Sequence, residues 1–378
     1  MPIPSALTLS DPLPAMETAG RLGRLAVALG ELCEVDGLVV SSLINIRYLT
    51  GFTGSAGLLL VLGGEATLVT DGRYADQSEE QLTASGVTAS IGIAGRTKQA
   101  ALVSAAVAGA GVRRLGLEAA HVSWATQRRY ATDWFDGVEL EATVGLVEGL
   151  RRSKDAGELA RIRRAATIAD AAFADIRPML TDGPAESDVA LELDSMMRRL
   201  GATGPSFETI VATGPNAAMP HHRPGGRRIG IHDAVVVDFG ALVDGYASDM
   251  TRTVSVEGVV SAELRRAVSV VTEAQRCGVA AVAAGVDAAD VDRACRDVIA
   301  EAGWSERFVH GTGHGVGLDI HEAPSVAATS TDTLAAGHVV TVEPGVYLPG
   351  LGGVRIEDTV VVTADGCEPL TLTPKDLC

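Results

Sequence analysis

The chain has 378 residues, of which 47% are hydrophobic, 21% charged and 4% aromatic, and its formal net charge is −17 at pH 7. This composition is typical of a folded protein, and a domain size of about 150 residues predicts two or three domains. The excess of acidic residues argues against nucleic acid or an anionic membrane as a partner, because both require a basic surface. We therefore expect neither nucleic acid nor a membrane as a partner.

The cysteines and the N-terminal segment indicate the compartment. The cysteines show no CxxC spacing, which favours a reduced, intracellular environment; they are Cys33, Cys277, Cys295, Cys367 and Cys378. The first basic residue is Arg21, and no charged region followed by an apolar core precedes it, so we expect no signal peptide. No apolar run is long enough to span a membrane. The sequence predicts a cytoplasmic protein.

Short strands and helices alternate along the first part of the chain. A helix is predicted at 21–32, where apolar residues recur at helical spacing. Strands are predicted at 37–40, 57–62, 66–70, 87–92, 113–119 and 137–143. Helices are predicted after Asp71 and at 97–109 and 122–134. This alternation predicts an α/β domain with its own core, which we assign to residues 1–150.

The pattern changes near 148–155, and residues 151–378 are predicted to form a second domain. A long amphipathic helix is predicted from 155 to about 179, and a second one, at 186–200, ends at Gly201. Strand-like runs then dominate, interrupted by helices at 261–284 and 287–302. Strands grouped apart from helices favour an α+β domain with a curved, mainly antiparallel sheet covered on one face.

Four acidic residues and one histidine stand out in this second domain. Asp238 closes an apolar strand and Asp249 follows 11 residues later, while Glu343 and Glu357 are 14 residues apart. Hairpins of these lengths can return the second carboxylate beside the first. His314 lies in the glycine-rich string HGTGHGVG. Four carboxylates and one imidazole are ligands that hard or borderline divalent metals prefer, which predicts a two-metal hydrolase.

Plainer interpretations exist for each of these residues. An Asp before a Gly, as at Asp238, is commonly a turn residue, and Asp249 could cap a strand end. Glu343 could lie in an ordinary turn. Strand alternation points one of Glu357 and Asp358 inward, and the register leaves open which of them it is. A glycine-rich loop can also bind phosphate, but the lysine and spacing of a P-loop are missing here.

The motifs carry a family resemblance. The strings GPNAAMPHH, VVVDFGALVDGYASDMTRT, HGTGHGVGLDIHEAP, TVEPGVY and GGVRIEDTVVVT resemble the signature blocks of the proline dipeptidase and aminopeptidase P family. The resemblance covers residues from about 150 onward, and more weakly residues 15–148. It implies a C-terminal pita-bread catalytic domain, the fold of methionine aminopeptidase and creatinase, preceded by a smaller α/β creatinase/prolidase-type domain.

The resemblance also implies roles for the acidic cluster. Asp238 would chelate one metal ion, Asp249 and Glu357 would bridge two, and His314 and Glu343 would complete the second site. Glu343 would act as general base or proton shuttle, with a metal-bridging hydroxide as the nucleophile that attacks an Xaa–Pro peptide bond. The implied cofactors are two divalent ions, Mn²⁺ first, with Co²⁺ or Zn²⁺ as alternatives.

Residues outside the ligand set match further positions of the family. His221, His310 and His321 match pocket histidines that contact the substrate, and Arg355 would support the ligands, as would Thr251. His222 has a plainer interpretation as a solvent-facing loop residue, and we leave it out of the site. The partners implied are small proline-containing peptides and a second subunit in a homodimer.

Substrate length and catalysis itself leave alternatives open. Some dipeptidases of the family carry a basic residue at the position of Ser325, so either a dipeptidase or an aminopeptidase acting on longer Xaa-Pro peptides is compatible with the sequence. A non-catalytic pita-bread binding module is the main alternative, although such proteins usually lose ligands. A phosphoesterase would be expected to carry Arg or Lys in the loops around His314 and Glu343.

Overall fold

The computed structural model describes residues 11–32, 35–258 and 261–375, without the side chains of Leu32 and Arg96. Two compact units divide the chain: one is Met16–Arg151, and the other combines Arg152–Cys378 with Met1–Ala15. The predicted free cysteines at 33 and 378 lie outside the described residues. Within the described residues, no helix combines the length and apolar character needed to cross a bilayer.

The unit Met16–Arg151 is built on one six-stranded mixed sheet, in the order β4-β3-β2-β1-β5-β6. Its strands are β1 (Gly37–Val40), β2 (Leu58–Leu62), β3 (Glu65–Thr70), β4 (Ser90–Ile93), β5 (Arg114–Glu118) and β6 (Glu139–Thr143). Its helices are α1 (Arg21–Leu32), α2 (Leu43–Thr50), α3 (Ala75–Ser85), α4 (Arg96–Gly109), α5 (Trp124–Arg129) and α6 (Leu146–Arg151). Strand β1 is buried along its whole length, which explains its unbroken apolar run GLVV.

Four longer helices belong to the second unit. They are α7 (Ala156–Ile176), α8 (Glu186–Arg199), α9 (Ala262–Ala281) and α10 (Ala288–Glu301). Helix α7 begins with a capping box, because Asp155 accepts from the backbone N–H of Glu158 and Glu158 accepts from that of Asp155, both at 2.9 Å. Helix α8 ends at Arg199, two residues before Gly201, whose φ of 108° suits glycine.

The strands of the second unit are antiparallel but form four sheets, where the sequence predicted one curved sheet. They are β7 (Gly204–Pro205), β8 (Ile210–Thr213), β9 (Val235–Phe239), β10 (Ala241–Val243), β11 (Tyr246–Ala247), β12 (Met250–Val254), β13 (Gly313–Gly315), β14 (Glu322–Val326), β15 (Val339–Val342), β16 (Gly345–Leu348), β17 (Gly352–Arg355), β18 (Asp358–Thr363) and β19 (Gly366–Pro369). The sheets are β11-β10-β7, β12-β9-β8, β14-β13-β15-β18-β19 and β16-β17. Gly240 lies between β9 and β10, and Glu343 lies between β15 and β16, and in both cases the two flanking strands belong to different sheets.

Two helix pairs cover these sheets. Helices α7 and α8 pack on β9 and β12, where the rings of Phe173 and Phe239 are 5.2 Å apart and almost fully buried. Helices α9 and α10 pack on β15 and β18. Burial of each large apolar side chain contributes about 1.5–3 kcal/mol. The strands that carry the acidic residues are therefore held in place by two apolar cores, one formed with α7 and α8 and the other with α9 and α10.

Candidate metal centre

The five predicted ligands line one cavity of about 540 Å³ in the second unit. Asp238 lies on β9, Asp249 immediately precedes β12, and His314 is the middle residue of β13. Glu343 lies between β15 and β16, and Glu357 lies between β17 and β18. Five separate segments thus contribute one side chain each to the same cavity.

Strand register brings the acids together. In the β9–β12 ladder Asp238 is opposite Thr251, two residues beyond Asp249. In the antiparallel β15–β18 ladder Val342 is opposite Asp358. Glu343 follows Val342 and Glu357 precedes Asp358, so these two acids come opposite each other. Side chains of residues that face each other across an antiparallel pair are about 5 Å apart. The separations of 11 and 14 residues noted in the sequence therefore place the two acids of each pair on or directly beside neighbouring antiparallel strands.

Three of the ligand-capable side chains converge most closely. Atoms of Asp249, His314 and Glu357 all lie within 4.8 Å of one another. His314 Nε2 is 3.5 Å from Asp249 Oδ2 and 3.3 Å from Glu343 Oε1. Donor atoms at these separations can share one cation, with carboxylates able to bridge to a second.

The glycines around His314 are required by close packing. A Cβ on Gly313 would lie 2.0 Å from the carbonyl oxygen of Thr341, and a Cβ on Gly315 would lie 2.4 Å from that of Ala323. Strand β13 therefore fits between β14 and β15 only with glycine on both sides of the histidine. The ring Nδ1 of His314 is 3.1 Å from the carbonyl oxygen of Gly315 and donates to it, which directs Nε2 toward the carboxylates.

Arg355 and Thr251 orient two of the carboxylates. Arg355 is 3% exposed, and its Nη2 donates to Asp238 Oδ2 at 2.7 Å. Its Nε donates to the hydroxyl of Thr251 at 3.0 Å, and that hydroxyl donates to Glu357 Oε2 at 2.7 Å. Asp238 Oδ1 is buried and has no hydrogen-bond partner, so it retains a lone pair directed into the site.

The electrostatics of the cluster favour a bound cation. Burial, together with the neighbouring carboxylates, raises the pKa of Asp249 and of Glu357 well above the usual range. Against burial, the hydrogen bond from His314 lowers the pKa of Glu343 to about 2, and the pKa of His314 rises correspondingly. Converging buried carboxylates and an orphaned oxygen on Asp238 form a donor set that fits divalent metal ions.

The three predicted pocket histidines line the same cavity, and each has different surroundings. His310 is half-buried; its Nε2 accepts from the Tyr347 hydroxyl at 2.8 Å, and that hydroxyl accepts from Arg355 Nη1 at 2.9 Å. Burial lowers the pKa of His310, which keeps it neutral. The ring of His321 packs edge-on against His314, with centroids 4.3 Å apart, and His221 is exposed to the cavity.

Some site residues were missed by the sequence analysis, and one was misjudged. Tyr347 lies within the string TVEPGVY, and Thr341, which donates to Glu343 Oε1 at 3.0 Å, lies two residues before that acid on β15. Spacing of two on a strand is the signal that would have found Thr341. The interpretation of His222 as solvent-facing was wrong, because its Nε2 donates to the fully buried Glu186 at 2.8 Å.

An α+β unit that gathers carboxylates and histidines at its strand ends is typical of metal-dependent hydrolases. Comparison with protein families makes the assignment specific. Residues 160–364 match metallopeptidase family M24, and residues 21–153 match the creatinase/prolidase N-terminal domain. The chain belongs to metallopeptidase family M24. The fold class inferred from the sequence is confirmed, and the non-catalytic alternative is not favoured.

Individual relatives extend the comparison over nearly the whole chain. The uncharacterized peptidase YqhT of Bacillus subtilis is 40% identical over 94% of this chain and 99% of its own length. The structure of an Xaa-Pro dipeptidase from Bacillus anthracis is 39% identical, with a TM-score of 0.89 over 94% of this chain and 98% of that one. An X-Pro aminopeptidase from Thermotoga maritima is 32% identical, with a TM-score of 0.83 over 92% and 98%.

Proposed function

We propose that the chain hydrolyses Xaa-Pro peptide bonds with the help of two divalent metal ions held by Asp238, Asp249, His314, Glu343 and Glu357. The observation that carries the proposal is the convergence of Asp249, His314 and Glu357 within 4.8 Å, beside Glu343, in a chain of family M24. Two similar proteins of solved structure are named for cleavage at Xaa-Pro, one a dipeptidase and one an aminopeptidase.

The chain's own residues divide the chemistry between them. When bound, divalent ions would polarise the scissile carbonyl and lower the pKa of a shared water. Glu343, kept ionised beside His314, can take the proton of the attacking water and pass it to the leaving nitrogen. Arg355 and Thr251 fix Asp238 and Glu357 through charge-assisted hydrogen bonds, so these carboxylates need little reorganisation during the reaction.

The three cavity histidines are proposed to bind the substrate. His221 and His321 offer exposed ring nitrogens along the cavity wall, where they can donate to the carbonyl oxygen as it gains negative charge. His310 is held by Tyr347 on one side, and its Nδ1 is 2.8 Å from the carbonyl oxygen of Gly311 on the other. Its neutral ring therefore presents a fixed surface to the bound peptide.

Several finer assignments are part of the same proposal. We infer Mn²⁺ as the first metal to test, with Co²⁺ and Zn²⁺ next, because oxygen-rich donor sets with one imidazole accept all three. The functional domains are proposed as 1–150 and 151–378; the division after Arg151 supports the boundary between them, although Met1–Ala15 group with the second compact unit. Free Cys277, Cys295 and Cys367 support a cytoplasmic location. A homodimer stays a prediction, to be measured by light scattering.

Metal-dependent peptidase activity provides the test. After chelation and dialysis, the protein should cleave neither Ala-Pro nor Ala-Pro-Ala, and Mn²⁺ should restore cleavage while Ala-Ala remains a poor substrate. Asp249→Asn should remain inactive with each metal, because it loses an anionic bridging ligand. Calorimetric titration should give about two ions per wild-type chain and fewer in the variant.

A matched substitution controls for changes in overall charge. Asp365 lies in an exposed turn of the same unit, and Asp365→Asn should retain both metal binding and cleavage. Tight metal binding without cleavage of any Xaa-Pro peptide would support the binding-module alternative instead. Equal cleavage of Ala-Pro and Ala-Ala would retain the metallopeptidase class and remove the proline specificity.

A further inference from the structure

Two arginine side chains are among the described residues that line the cavity, and their guanidinium groups have different surroundings. Arg355 is buried and donates to Asp238, Tyr347 and Thr251. The side chain of Arg223 is 84% exposed and pairs with Glu208, itself 66% exposed, at 3.4 Å. The guanidinium of Arg223 is therefore accessible from the cavity, whereas that of Arg355 is occupied by the site itself.

Arg223 lies on a loop, residues 219–225, whose backbone is fixed on both sides of it. The fully buried carboxylate of Glu186 accepts from His222 Nε2 at 2.8 Å and from the backbone N–H of Gly225 at 3.1 Å. The loop also closes a turn, because the N–H of His222 donates to the carbonyl of Met219 at 3.2 Å. The side chain of Arg223 is exposed, and the backbone on both sides of it is held.

With the proposed metal ions bound, the cavity keeps little free positive charge for a further anionic group. The four carboxylates that line it, Asp238, Asp249, Glu343 and Glu357, would offset the charge of those ions, and Arg355 is engaged with Asp238. A free dipeptide carries a carboxylate one residue beyond its scissile carbonyl, that is, within about 3.3–3.6 Å of chain length. A binding site for a dipeptide on this wall therefore needs a cation to receive that carboxylate.

We propose that Arg223 binds the free C-terminal carboxylate of a short Xaa-Pro substrate and that Glu208 is the group it displaces. Arg223 is two residues from His221 along the loop, so its guanidinium can reach a group that lies one residue beyond a carbonyl held by His221. Guanidinium binds carboxylate in a planar, two-pronged geometry. An exposed ion pair such as Arg223–Glu208 is weak, and an incoming carboxylate can replace it.

This inference rests on the proposed Xaa-Pro hydrolysis. It adds that the substrate carries a free carboxylate whose position along the peptide determines which substrate lengths fit. Ser325, on β14, lines the same cavity but carries no charge. The cation comes instead from the loop between β8 and β9. A longer peptide places its carboxylate about 3.3–3.6 Å further along the chain for each added residue. The geometry therefore points to a preference for dipeptides with a free carboxylate.

Steady-state kinetics of the Mn²⁺-loaded full chain test the inference, with Ala-Pro, Ala-Pro-amide and Ala-Pro-Ala as substrates. Arg223→Gln should raise KM for Ala-Pro about tenfold with little change in kcat, and should leave both constants for the uncharged amide unchanged. The effect on Ala-Pro-Ala should be smaller. Glu208→Gln should act in the opposite direction and lower KM for Ala-Pro by about twofold.

Arg227→Gln is the matched control, because Arg227 belongs to the same segment but pairs with Asp233. It should leave the ratio of KM for acid and amide unchanged. If Arg223→Gln affects acid and amide equally, or neither, the carboxylate assignment is overturned while the hydrolase assignment stands. If the wild-type protein cleaves none of the three peptides with any metal, the proposed function itself fails, and the carboxylate assignment fails with it.

Discussion

At the scale of single residues, adjacent acids have different tasks. Glu357 accepts from Thr251 at 2.7 Å and belongs to the metal cluster. Asp358 is equally buried but accepts from Arg252 Nη2 at 2.9 Å and from Gln275 at 3.0 Å, on the other side of the chain. Successive side chains at a strand start point to opposite faces. One acid therefore serves the site, and the other neutralises a buried arginine.

His338 gives a prediction at this scale. It is 5% exposed, its Nδ1 accepts from the N–H of Ala335, and burial together with Arg152 and Lys154 lowers its pKa to about 4. The unfolded chain binds a proton near pH 6.5, so native stability falls as pH decreases from about 6.5 to about 4. His338→Asn keeps an acceptor and does not titrate.

Between pH 7 and pH 5 the wild-type protein should lose about 1–2 kcal/mol more stability than His338→Asn, a value reduced from the full linkage for solvent screening. Urea unfolding at both pH values, in chelator, measures this difference. Parallel pH dependence of the two proteins would mean that His338 has the same pKa in the native and the unfolded state.

At the scale of elements, the loop 219–225 depends on one residue of helix α8. Glu186 accepts four hydrogen bonds, of which two come from the end of β8 and the turn after it, Thr213 N–H and the Asn216 side chain, and two from the loop. These bonds outweigh burial and lower the pKa of the Glu186 carboxyl. A buried side chain in the first turn of α8 thus positions a loop that borders the cavity.

Glu186→Gln replaces one carboxylate oxygen, which accepts two hydrogen bonds, by an amide nitrogen, which can only donate. We expect a loss of about 2–3 kcal/mol in stability, because hydrogen bonds to a charged, buried acceptor are lost. KM for Ala-Pro should rise more than kcat falls, since the loop contributes substrate contacts. Glu192→Gln, on the same helix and paired with Arg199 at the surface, should change neither quantity. A kcat loss without a change in KM would contradict the positioning role.

At the scale of the whole molecule, the ligands all belong to one compact unit. Residues 152 onward supply every residue proposed to bind metal, while Met16–Arg151 has its own sheet and its own apolar core. A ligand stabilises only the part of the protein that must be folded for the ligand to bind. Metal should therefore stabilise the two units unequally.

Hydrogen exchange with and without Mn²⁺ tests this prediction. At about 100 times the dissociation constant, metal should add about 2.7 kcal/mol to the protection of amides in β9, β12, β15 and β18. Amides of β1, β2 and β5 should exchange at unchanged rates. Equal added protection in both sets would mean that the two units unfold together.

The sequence by itself determined most of the local elements and the kind of chemistry, although it did not predict α2 (Leu43–Thr50) or α6 (Leu146–Arg151). Apolar periodicity gave helix α1 with both bounds, and gave α10 to within one residue at each end, because helix burial depends on a repeat visible in the chain. The donor types in the motifs indicated a divalent metal site, because ligand chemistry depends on side-chain identity.

Only the tertiary structure decided which donors meet and which groups support them. Register across β15–β18 separates Glu357 from Asp358, and burial beside Glu186 gives His222 a partner that its own segment does not contain. The strands form four sheets where the sequence predicted one. Contacts between residues far apart in the chain leave no periodic trace in the sequence, so they become visible only when the chain is folded.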